Sequence, residues 1–166
     1  MHLRTYDYRH AESILNANHR LKKELERVLA RLELKLPAGY GFRQPRDSSC
    51  PHRQIQLAFQ RQGWKAEALV SPRTAKRHHF DLYKDRVAIE IELSNRELLY
   101  RDYIRFLIAE ADGRLDVGVI VLLDEDARYA HPYGMRNGIP RLEDVADDLQ
   151  SLRGVIGVPI WVVAIS

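Results

Sequence analysis

Between His78 and Asn95 the chain reads HHFDLYKDRVAIEIELSN, and that alternation leaves few folds open. Two short strands joined by the polar turn Lys84-Asp85-Arg86 account for it. In the second strand Val87, Ile89, Ile91 and Leu93 fall on one face, and Ala88, Glu90, Glu92 and Ser94 on the other. Period two therefore gives both glutamates the same face, one pleat apart. Asp81 enters from the adjoining strand. Three carboxylates converging at a sheet edge repel one another in a partly dry site. A hard divalent cation such as Mg²⁺, which prefers oxygen ligands, resolves that repulsion. A hairpin with one solvated face carries the same alternation, so spacing alone leaves both readings open.

The 166 residues suit one domain with a real core. A single cysteine, Cys50, excludes an internal disulfide. The longest apolar runs are strand-length and the N-terminus is polar, so no membrane span or leader is expected and the cytoplasm is the expected compartment. The net charge of +3 is unevenly spread. Residues 41 to 79 hold eight basic residues (43, 46, 53, 61, 65, 73, 76 and 77) against Asp47 and Glu67, whereas acids prevail from 81 to 150. A basic segment beside an acidic cluster fits a polyanion site around a metal site; a solvated loop and helix face fits the same charges.

Along the chain, residues 8 to 33 read as one long helix with the stripe Ile14, Leu21, Leu25, Val28 and Leu32. Residues 35 to 50 form a polar loop. A second helix starts at Pro51 and stops at Gly63, with Ile55, Ala58 and Phe59 inward. Trp64 to Val70 reads as a strand and Ser71 to Arg77 as a basic turn. After the hairpin, Ser94-Asn95-Arg96-Glu97 has the form of a capping box for a helix reaching Ala111 and closing near Gly113, with Leu99, Tyr103, Phe106 and Leu107 inward. Val117 to Leu123 is a buried strand. A polar loop over 124 to 139 precedes a helix opened by Pro140, and Val155 to Ile165 is a final strand interrupted at Pro159. The order predicts an α/β fold, a mixed sheet of about five strands flanked by helices, with a right-handed crossover through residues 96 to 111.

Asp81, then Glu90, then Glu92 with apolar residues between resembles the PD-(D/E)xK nuclease motif, Glu92 standing where that motif has its lysine. Glutamate or glutamine there is similar to the type II restriction endonucleases typified by BamHI and BglII. The following Ser-Asn, the helix and the Asp-Val-Gly-Val-Ile strand look like the BglII group, over roughly residues 63 to 165. No proline precedes Asp81. The resemblance implies a restriction-endonuclease-like core: a single nuclease domain over 1–166, with an N-terminal helix and polar loop over 1–50 and the catalytic core over 51–166.

It implies Mg²⁺, with Mn²⁺ as a substitute, held by Asp81, Glu90 and the Ile91 main-chain carbonyl. Glu92 then orients the attacking water or serves a second metal, and Glu67 is a possible extra acid, against its reading as an exposed strand residue. Arg73, Lys76 and Arg77 are candidate phosphate contacts. The loop HPYGMRNGIPR offers His131, Tyr133, Arg136, Asn137 and Arg141, where arginine and asparagine suit guanine and adenine edges. His78 and His79 flank the site; Cys50 and His52 are too few for zinc. The expected activity is Mg²⁺-dependent, sequence-specific cleavage of double-stranded DNA, with a repair or junction nuclease and a non-catalytic DNA-binding module as alternatives. A homodimer matches a palindromic site, joined through the Leu21, Leu25, Val28, Leu32 stripe, which fits packing within the chain equally well, or through the 96–111 helix, with a cognate methyltransferase as genomic neighbour.

Overall fold

The computed structural model describes residues 3–34, 50–73, 78–93, 95–124 and 138–166. A six-stranded mixed sheet runs through them in the order β1-β6-β5-β4-β3-β2. Its strands are β1 (Leu3–Tyr8), β2 (Lys65–Leu69), β3 (His79–Lys84), β4 (Val87–Ile91), β5 (Val117–Leu123) and β6 (Ile160–Ile165). The described helices are α1 (Ala11–Ala17), α2 (His19–Ala30), α3 (Pro51–Gln60), α4 (Leu98–Ala111) and α5 (Leu142–Ser151).

β4, β5 and β6 are parallel neighbours, joined through α4 and α5. Successive right-handed crossovers in one direction put both helices on the same face. There Leu99, Phe106, Val145 and Leu149 pack with Ala88, Ile120 and Val162. Helices α1 to α3 cover the other face, where Leu15, Leu25, Leu29, Ile55 and Phe59 pack with Val87, Ile89, Ile91, Val119 and Trp161. The sheet therefore separates two hydrophobic clusters, and its central strands are buried on both sides.

The hairpin forms as the alternation requires. Asp85 and Arg86 both have positive φ (47° and 63°), the two-residue turn whose twist matches a hairpin. Arg86 is anchored by Asp116 at 2.6 Å. Val87, Ile89, Ile91 and Leu93 share one cluster and Ala88 lies in the other, the phasing expected from the sequence.

Four expectations need correction. The sheet has six strands rather than about five, because Leu3–Tyr8 pairs antiparallel with β6 from Ile165 back to Ile160. The helix expected over 8 to 33 starts later and is divided at Asn18, whose side chain caps α2 by accepting from the Leu21 amide. The stripe Leu21, Leu25, Val28, Leu32 lies in the core and is not available to a second subunit. Finally, α4 begins at Leu98, with Asn95 Oδ1 accepting from the Glu97 amide in place of a capping box.

Gly118 of β5 sets the distance to α4: a Cβ there would lie 2.8 Å from the Phe106 ring. Gly118→Ala is expected to destabilise the fold by about 1–3 kcal/mol through overpacking, with urea unfolding midpoints as the measurement. An unchanged midpoint would show that Phe106 yields freely.

Candidate active site

β3 and β4 pair from Lys84↔Val87 to Leu82↔Ile89, and the ladder stops there. Strand alternation also breaks at this point. Phe80 and Leu82 should share a face, yet Phe80 packs on the α4 side, stacked at 6.0 Å on both Tyr83 and Phe106, while Leu82 packs on the α3 side. Asp81 sits at the break. Its Oδ2 accepts the Ile91 amide at 2.8 Å, so a side chain does the work of a ladder bond. Across the other edge, the register that pairs Ala66 with Leu82 and Ala68 with Phe80 sets Glu67 opposite Asp81. Glu67 itself has φ +51°, a distortion within β2.

Helix α3 points its first turn at this break. His52 Nε2 lies 3.0 Å from Asp81 Oδ2. One turn later the buried Gln56 donates to Glu67 Oε1 at 3.2 Å and to the Asp81 carbonyl at 3.4 Å, and accepts from Arg53 at 3.1 Å. Burial alone would lower the His52 pKa. The hydrogen bond to Asp81 and the charges of Asp81, Glu67 and Glu92 outweigh it and hold the imidazole above its ordinary value.

Glu90 and Glu92 share a face, as expected, but that face is dry. They are 1% and 4% exposed. Helix α4 covers them and supplies Arg105, whose Nη1 lies 3.1 Å from both Glu90 Oε1 and Asp102 Oδ1. Burial, then the charges of Asp81 and Asp102, push Glu90 well above the usual carboxylate range, against the pull of Arg105. Burial likewise pushes Asp102 up to about 7, with Glu92 and Asp81 adding to the rise and Arg105 opposing it. Glu92 Oε1 accepts the Asn95 amide at 2.8 Å and so holds the turn into α4.

A sequence profile of the restriction endonuclease BglII/BglIII family matches residues 3–165. The chain belongs to this family. It is a type II, sequence-specific DNA endonuclease, and the family in general depends on a divalent metal. Membership decides for restriction over the repair-nuclease and binding-module alternatives. Among solved structures, restriction endonuclease BglII in complex with a DNA 16-mer is similar at a TM-score of 0.79 and 22% identity, covering 100% of this chain and 78% of that one. Free BglII is similar at a TM-score of 0.66 and 22% identity, covering 100% and 80%. No curated protein sequence matches the chain.

The structure thus sets Glu67 opposite Asp81, with Asp81 close enough for its charge to act on both His52 and Glu90, and Glu92 close enough to act on His52. Among the described residues, no three His, Cys, Asp or Glu side chains form a ready cage for a metal ion. Arg73 is 81% exposed and lies 3.3 Å from Asp112. Arg141 is the N-cap residue of α5, and its amide donates to Asp144. His78 accepts the Val70 amide through its carbonyl, and His79 pairs with Leu69. Lys76, Arg77, His131, Tyr133, Arg136 and Asn137 lie outside the described residues.

Four members of the site escaped the sequence reading: His52, Gln56, Asp102 and Arg105. A signal existed for Asp102, which occupies the buried face of α4 with Leu99, Tyr103, Phe106 and Ala109. Removing the guanidinium in Arg105→Gln takes away the arginine that pairs with Glu90 and leaves the buried Asp102 only Arg101, at 3.7 Å. We expect a loss of about 3–5 kcal/mol, read as a fall in thermal midpoint at neutral pH. A variant as stable as the parent would show that the pair does not depend on Arg105.

Proposed function

We propose that Asp81 and Glu90, with the Ile91 carbonyl, hold Mg²⁺ (Mn²⁺ substituting), and that the chain cuts both strands of duplex DNA as a cytoplasmic homodimer. The observation that carries this is the break between β3 and β4. There a partly exposed Asp81 is fixed by the Ile91 amide, and its charge acts on the buried Glu90.

The donor set fits. Mg²⁺ is usually bound by one or two carboxylates, waters and substrate phosphate rather than by a complete protein cage. Asp81 is held through Oδ2 and Glu90 through Oε1, and each carboxylate has a second oxygen that could serve as a ligand. Bound there, the cation would supply a Lewis acid for the scissile phosphate and a more acidic water.

The chain's own groups do the rest. The Ile91 amide and His52 fix the Asp81 carboxylate. Arg105 fixes that of Glu90. Glu92 orients the attacking water, and Glu67, tied to Gln56, is an additional acid at the rim. Arg73, Lys76 and Arg77 contact the phosphate backbone, and His131, Arg136 and Asn137 read bases.

Duplex DNA as substrate is supported by the BglII complex with a DNA 16-mer, to which the fold is similar. The dimer reading moves to α4, whose outer surface exposes Tyr100 and Ile104, 48% and 54% accessible and one turn apart. A cognate methyltransferase encoded nearby would protect the host sequence.

Asp81→Ala and Glu90→Ala are each expected to lower single-turnover plasmid cleavage by more than about 10²-fold, the scale of losing a preorganised electrostatic group, while duplex binding stays near parental. Undiminished cleavage by either variant would overturn the assignment.

Glu92→Gln should be milder than Glu90→Gln, because the amide oxygen can still accept the Asn95 N–H. Equal losses in single-turnover rate would contradict that role.

A further inference from the structure

A second charged feature lies away from the carboxylates. On α2, Arg20, Lys23, Arg27 and Arg31 recur at steps of three, four and four, so they line one side of the helix, and all four are exposed. They span roughly 16 Å at 1.5 Å per residue. Between this stripe, the end of α3 and the end of β3 is a cavity of about 640 Å³, lined by Arg20, Lys23, Arg27, Arg61 and Lys84 together with Glu24 and Gln62.

The single carboxylate is already committed. Glu24 is 8% exposed and accepts from Trp64 Nε1 and from Lys84 Nζ, each at 2.7 Å. Lys84 Nζ also donates to the Gln62 carbonyl at 2.7 Å, which fixes the floor of the groove. Among the described residues, Arg20, Lys23, Arg27 and Arg61 form no ion pair, whereas Arg86 and Arg96 are matched by aspartates on other surfaces. With Lys84 paired to the one acid, four cations remain uncompensated along this concavity, and such a surface attracts a polyanion.

We propose that this groove binds the phosphodiester backbone of duplex DNA outside the cleavage site. One DNA strand presents a phosphate about every 3.4 Å of helix axis, so a 16 Å stripe faces about five of them. The groove and the carboxylates lie at opposite ends of α3: His52 in its first turn touches Asp81, and Arg61 at its C-cap lines the cavity. Ten residues of helix separate them by about 15 Å, too far for the groove to hold the scissile phosphate. It also faces away from α4, so a dimer joined there leaves it open.

The inference rests on the reading of the chain as a DNA-binding enzyme. The test is the salt dependence of binding to a 40-base-pair random-sequence duplex for the parent and for K23Q/R27Q/R61Q, with R153Q, on the opposite face, as the charge control. Each lost phosphate contact flattens the plot of log K against log salt by about 0.9, so the triple variant should lose about 2 to 3 units of slope and R153Q should keep the parental value. At saturating enzyme the triple variant should cut plasmid in the parental pattern, which separates loss of the groove from loss of the fold or of the carboxylate site. A parental slope in the triple variant, or an equal loss in R153Q, would overturn the proposal. So would competition by inorganic triphosphate at this groove with no change in slope, which would assign it to small polyphosphates. A parent that binds no duplex would overturn the DNA-binding reading along with it.

Discussion

Glu90 is 1% exposed, Asp102 and Asp81 stand close enough to raise its pKa, and one guanidinium bonds it. Removing a carboxylate from water costs several kcal/mol even after relaxation, and like charges nearby add to that. The rest of the structure depends on meeting this cost. Arg105 offsets part of it by bridging Glu90 and Asp102, and its position is a packing problem. α4 must lie close enough to the sheet for Arg105 to reach β4. The helix gets that close because Gly118 presents no side chain to Phe106, one residue after Arg105. The two large clusters on either side of the sheet contribute the stability against which the buried charge is drawn.

The break between β3 and β4 follows from the same constraint. An unbroken ladder would use the Ile91 amide for a backbone carbonyl and leave Asp81 as an ordinary strand residue. Here the aspartate side chain takes that amide, the strands part, and a carboxylate is held in the gap between two inner strands by a bond along the sheet. The distortion spreads to β2, where Glu67 adopts a left-handed backbone opposite Asp81. A non-glycine residue in that region costs of order 1 kcal/mol or more and persists only where its surroundings fix it. Gln56, bonded to both Glu67 and the Asp81 carbonyl, is the group that fixes it.

What could be read from the sequence follows how local each signal is. The phasing of Val87 to Leu93 needs only period two, so the shared face of Glu90 and Glu92 was legible, as were the hairpin turn and the strand Val117–Leu123. That the shared face is dry was not legible, because its cover, α4, is joined through a turn whose geometry depends on Glu92 itself. β1 was hidden for a related reason. Arg4, Tyr6 and Tyr8 alternate with Leu3, Thr5 and Asp7 without a clear apolar side, and only pairing with β6 makes them a strand. Arg105 looked like an ordinary exposed charge in sequence. Its partner was the better clue, since Asp102 interrupts an otherwise apolar stripe and a buried acid requires a counter-charge.

A net charge of +3 describes neither end of α3. The N-terminus of this helix has Pro51 at its first position and no side-chain cap, so its free amides leave a partial positive charge. Asp81 lies there, bonded through His52. At the C-terminus the partial charge is negative, and Arg61 and Lys84 lie beside it. Each end of the helix dipole stabilises a neighbouring opposite charge by about 0.3–1 kcal/mol, more where the site is partly buried. The same ten residues therefore favour acids at the strand break and bases at the hairpin end. Exchanging the two groups would set each against the dipole, so the direction in which α3 runs across the sheet fixes which end of the molecule carries the acids.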